Sequence, residues 1–135
     1  MARSDPLEII LEDMDRFIAR ETVGVLFEIS ATLIEDTPLR DGWARSQWVA
    51  KIRSPYRANL TKVKPTSGQI SARSNESQNE LFKIAASYNL DAGPLFLSNN
   101  VPYIGRLNDG HSPQAPPGYI QLGVLKAVNA KRAGR

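Results

Sequence analysis

From Pro6 to Glu35 the apolar positions Leu7, Ile10, Met14, Phe17 or Ile18, Val25 or Leu26, Ile29 and Leu33 recur every three or four residues, the period of a helix with one apolar face. Asp5 suits the N-cap, Pro6 the first helical position and Glu8 the first turn, while Thr37-Pro38 supplies the stop. A helix of about 30 residues is roughly 45 Å long at 1.5 Å per residue, more than a small domain covers on one side. It must either project or break near Thr22–Gly24, where propensity falls. The unbroken helix is the favoured reading, with its acidic first half partly free to touch a neighbouring subunit. As a coiled-coil seam the repeat is too short and irregular.

After a connector at 37–42, polar and apolar residues alternate, and a strand is predicted over Ser46–Arg53 with Trp48, Ala50 and Ile52 inward. Residues 54–75 are polar, contain Pro55, Pro65 and Gly68, and read as a long mobile loop or hairpin. A second helix is expected over Asn75–Asn89, capped by Asn75 or Ser77, with Leu81, Ile84, Ala85 and Tyr88 on one face. Asp91-Ala92-Gly93-Pro94 breaks it. Leu95-Phe96-Leu97 then read as a short buried strand, apolar on both faces and therefore suited to the middle of a sheet. Val101–Leu107 fits either an edge strand or one helical turn. A last helix spans Gly118–Lys131, with Ile120, Val124, Leu125 and Val128 on one face and Lys126, Lys131 and Arg132 towards its C-terminus. The expected class is α+β, one domain with the long N-terminal helix and the C-terminal helix packed on a small, mostly antiparallel sheet.

Composition changes this picture little. The 135 residues suffice for one core. The absence of cysteine excludes a disulfide framework and a thiolate metal site, and fits a protein made and used in a cytosol. Glu8, Glu12, Asp13 and Asp15 are incompatible with a secretory leader, and no apolar run approaches a membrane span. The net charge of +3 is unevenly spread, acidic in the first fifteen residues and basic in 51–64 and at the C-terminus. Contact with nucleic acid or with an acidic protein face is thereby allowed.

Nothing in the chain assembles an active site. His111 is the single histidine, and Asp109 and Ser112 lie too close to it in one turn to converge on a substrate atom. Glu12, Asp13 and Asp15 lack calcium-loop spacing, and no glycine-rich phosphate loop occurs. No catalytic residue, cofactor or metal is expected. The densest run of turn devices is instead Asn99-Asn100-Val101-Pro102-Tyr103-Ile104 followed by Leu107-Asn108-Asp109-Gly110-His111-Ser112-Pro113-Gln114-Ala115-Pro116-Pro117-Gly118-Tyr119-Ile120. Such stiff corners hold a loop and a helix start in fixed relation, as a docking surface requires.

This run, together with Thr37-Pro38-x-x-x-Gly42-x-Ala44-Arg45-x-x-Trp48 upstream, resembles the tail-completion or tail-component family of tailed bacteriophages. The resemblance covers about a quarter of the chain. Arg40 and Asp41 stand where the family carries an acidic residue and a threonine, and Trp43 stands where it has a basic or small one. The resemblance implies a non-catalytic virion protein of the neck, made in the host cytoplasm and assembled as a ring, a hexamer, that closes the tail. Its implied partners are further copies of itself, the head-completion or connector protein, the tail terminator or tail tube, and DNA passing through the channel.

Candidate interface residues are Trp43, Arg45, Asn100, Tyr103, Asp109, Gly110, Ser112, Gln114 and Tyr119, with Asp109 expected to bond amides of its own loop. Arg45 is a candidate for a salt bridge holding the first helix to the sheet or to a neighbour. Lys51, Arg53, Arg57, Lys62, Lys64 and Arg73 form the candidate electrostatic surface. They also carry the alternative reading, a small nucleic-acid-binding module using the basic loop and the C-terminal tail.

Overall fold

The computed structural model describes residues 5–40, 42–60 and 65–134. The first helix, α1 (Pro6–Asp36), is unbroken. The Asp5 carboxylate accepts from the Leu7 amide at 3.0 Å, and Thr37 ends the helix with its own amide bonded to the Leu33 carbonyl. A short α2 (Trp43–Ser46) leads into β1 (Trp48–Ile52), which pairs antiparallel with β2 (Leu95–Asn99) in the register Trp48↔Asn99, Ala50↔Leu97, Ile52↔Leu95. Between the strands lie α3 (Ser67–Ser87) and a 3-10 turn (Leu90–Ala92); after them come α4 (Ile104–Asn108) and α5 (Tyr119–Arg132). The class is α+β, with a long N-terminal helix, a C-terminal helix and a two-stranded antiparallel sheet.

The core forms where α1 and α3 cover the sheet. Leu26, Ala50, Leu81 and Ile84 are buried together, with Val23, Phe27, Ile52, Tyr88, Leu95 and Leu97 around them. Trp48 and Ala50 point inward as their alternation predicts, and Val49 is buried as well. Because the sheet has two strands it has no middle, and β2 is half-buried throughout rather than enclosed.

Three expectations are corrected. Residues 67–75, read as loop, are the first turns of α3. Thr66 accepts from the Gln69 amide at 3.1 Å while the Gln69 side chain accepts from the Thr66 amide at 2.8 Å, a reciprocal cap strong enough to start a helix in a polar stretch. Ser77 is accordingly no cap. It is buried in mid-helix and its hydroxyl donates to the Ser46 carbonyl at 3.0 Å. Finally, α5 buries Tyr119, Gly123 and Ala127, while Leu125 is 58% exposed and Ile120, Val124 and Val128 flank the contact half-buried. Small residues let the helix axes approach: a Cβ on Gly123 would sit 2.9 Å from the Leu33 methyl Cδ2. Thus α5 lies antiparallel along the C-terminal half of α1, with Lys126 paired to Asp36 at 3.0 Å and Lys131 to Glu21 at 3.5 Å.

Candidate assembly surface

The two sequence blocks, more than 50 residues apart in the chain, meet at the C-terminal end of α1. Thr37 is the junction. Fully buried, its hydroxyl donates to the Leu33 carbonyl at 2.5 Å and accepts from the Trp48 indole Nε1 at 2.9 Å. Arg45 donates from Nε to the Thr37 carbonyl at 2.7 Å and from its guanidinium to the Glu35 carbonyl at 3.1 Å. Thus Arg45 does hold the first helix, through carbonyls left unpaired at a helix end rather than through a carboxylate.

From the second block, Asn99 donates to the Ala44 carbonyl at 2.9 Å and accepts from the Val101 amide at 3.1 Å. Gln114 spans 75 residues to grip the backbone of Leu39, accepting from its amide at 2.7 Å and donating to its carbonyl at 2.9 Å. The Val101–Leu107 segment takes the helical alternative, ending in α4. Asn108 then caps the next helix. Its side-chain oxygen accepts from the Ile120 amide at 3.0 Å and its amide donates to the Gln121 side chain at 3.0 Å.

Several candidate interface residues are therefore internal fasteners. Tyr119 is 2% exposed and belongs to the core between α5 and α1, which corrects its reading as a contact residue. Burial, reinforced by the nearby Asp36 charge and opposed by the Thr37 hydroxyl, raises its pKa above the ordinary 10.0. The Tyr119 hydroxyl lies beside Thr37 without meeting hydrogen-bond geometry, so it is buried and unsatisfied. Asn100 donates to the Tyr56 carbonyl at 2.9 Å. The Ser112 hydroxyl accepts from the Gln114 amide at 3.2 Å, setting up that side chain. Gly110 adopts φ +94°, and a Cβ there would meet the Pro117 ring at 2.7 Å. Trp43 is half-buried beside Gln69 and Arg73, whereas Tyr103 and Asp109 are exposed at the two ends of α4.

Among the described residues, the candidate basic side chains do not form one face. The Arg73 guanidinium turns inward, ion-paired with Glu76 at 2.9 Å and stacked 5.2 Å from the Tyr56 ring centroid. Arg53 folds back on the Ala92 carbonyl at 2.9 Å. Lys51 is exposed beside Glu76, Glu80 and Lys83, and Arg57 is exposed in the following loop. Lys62 and Lys64 lie outside the described residues, as does Asp41. His111 places Nδ1 3.0 Å from the Arg106 carbonyl, which can only accept, so that nitrogen carries the proton. Among the described residues no three His, Asp or Glu side chains gather as a metal site, and no helix is long and apolar enough to cross a membrane.

Among the described residues, an apolar stripe is exposed on the half of α1 that the sequence reading leaves partly free. Along the first half of α1, Leu7, Ile10, Leu11, Met14, Phe17 and Ile18 are between 44% and 61% exposed. At 100° per residue these six share an arc roughly 120° wide, the width of a face made to pack. The period marked these positions in advance; what it could not give was which element would cover the stripe in the second half of α1 and where that cover would end. Comparison with family models, with curated proteins and with solved structures finds no match.

Proposed function

We propose that the chain is a structural component of the bacteriophage head–tail joint, a ring-forming tail-completion protein that works by presenting shape and catalyses nothing. The observation that carries this reading is the convergence of the two blocks resembling that family. Thr37, Arg45 and Trp48 from one, and Asn99, Asn108, Gln114 and Tyr119 from the other, brace a single corner between α1 and α5. A braced corner supports the reading because it fixes the direction in which the uncovered half of α1 points. One face repeated from copy to copy closes a ring when the rotation allows it.

The nucleic-acid alternative has less to stand on, since Arg73 and Arg53 are engaged within the chain and Glu76 and Glu80 interrupt the cations around Lys51. Particles assembled in cells making this chain are expected to carry it at the portal end, seen by electron microscopy of isolated necks. A chain missing from assembled virions, and monomeric at high concentration, rules the reading out.

A further inference from the structure

The apolar stripe of α1 does not stop where its cover stops. Val25 and Ile29 continue the line of Leu7, Leu11, Met14 and Ile18 at helical spacing. In the C-terminal half of α1, α5 lies on that side, reaching from Asp36 back to Glu21. With 14 residues α5 is about 21 Å long, so it is used up on this span. The stripe from Leu7 to Ile18, roughly 17 Å long, remains open and wants a helix of about the same length.

We propose that this first half of α1 docks on the outer face of α5 of a second copy of the chain. Leu122 and Leu125 are 53% and 58% exposed there, in a shallow apolar depression with Asn129, Ala130 and Ala133. Charge selects this occupant over the alternative, pairing of two α1 halves. Residues 5–20 carry five acids and two arginines, whereas α5 has Lys126, Lys131 and Arg132 and no acid at all. Lys126 and Lys131 already face Asp36 and Glu21 of their own copy; exposed Arg132 stays on the outer side with Leu122 and Leu125. Two antiparallel α1 halves would instead set Glu8 and Asp15, which border one edge of the stripe, against the same residues of the partner, a like-charge contact. The α1-to-α5 contact joins different faces of the two copies, so it propagates around a ring rather than closing as a pair. It deepens the ring reading and rests on its self-association.

The chain has no cysteine, so single cysteines report proximity without background. Met14→Cys and Leu125→Cys, both at exposed positions, are purified separately, mixed and oxidised, beside wild-type mass measured by sedimentation. The expected result is a covalent dimer several-fold more abundant in the mixture than in either protein alone, together with loss of the wild-type oligomer in Leu125→Glu at unchanged circular dichroism. Strong self-linking of Met14→Cys, or an oligomer indifferent to Leu125→Glu with no mixed dimer, overturns this contact while leaving self-association standing. A wild type that is monomeric at every concentration overturns both.

Discussion

Thr37→Val tests whether the corner at the end of α1 is held as described. Valine has nearly the shape of threonine, so the substitution removes one hydroxyl from a fully buried site and little else. The Leu33 carbonyl keeps a partner, the Thr37 amide at 3.0 Å. The Trp48 indole N–H does not: its 2.9 Å bond to the Thr37 hydroxyl is lost inside the core. A buried donor left without an acceptor costs about 1–3 kcal/mol, so a loss near 2 kcal/mol is expected. That corresponds to roughly 6–10 °C in Tm for a chain of this size. Urea unfolding followed by tryptophan fluorescence gives the free energy. Repeating it in a Trp48→Phe background isolates the bond, because there is then no donor to strand, and the cycle should return a coupling of about 1–2 kcal/mol. A loss below about 0.5 kcal/mol in the wild-type background, or equal losses in both, would refute this account of the junction.

Two further outcomes follow from single positions. Gly110→Ala combines about 1–2 kcal/mol of left-handed backbone strain with the 2.7 Å approach to Pro117, and overpacking adds about 1–3 kcal/mol; denaturant titration should show a loss of about 2–5 kcal/mol, and an unchanged midpoint would mean that the proline corner yields freely. Tyr119 has a raised pKa, so below pH 10 its proton is bound in both states, while above that the unfolded chain releases it first and wild-type stability falls. Tyr119→Phe removes that fall and at neutral pH should match or exceed wild type, since the lost hydroxyl was buried without a partner; parallel stability curves for the two proteins from pH 8 to beyond 10 would contradict the assignment.

How much of this was legible in advance follows from what is local. The span, caps and continuity of α1 are written in Asp5, Pro6, the three-four period and Thr37, all within reach of one another along the helix. The inward alternation of Trp48 and Ala50 is equally local. The start of α3 was local too, in Thr66 and Gln69, but was hidden by a polar, glycine-containing stretch that dilutes the period. The packing face of α5 could not be read in the same way. Periodicity says which residues share a side of a helix, and Leu122 and Leu125 form as good an apolar pair as any. The choice of Tyr119, Gly123 and Ala127 depends on how closely α1 can approach, which belongs to two helices at once. The same holds for Gln114 and Asn99, whose bonds to Leu39 and Ala44 join positions 75 and 55 residues apart. Sequence alone determined the first and last helices, the two strands and what each can offer; the tertiary structure decided which faces are consumed inside the chain and left the first half of α1 open, because burial is a relation between elements and not a property of either.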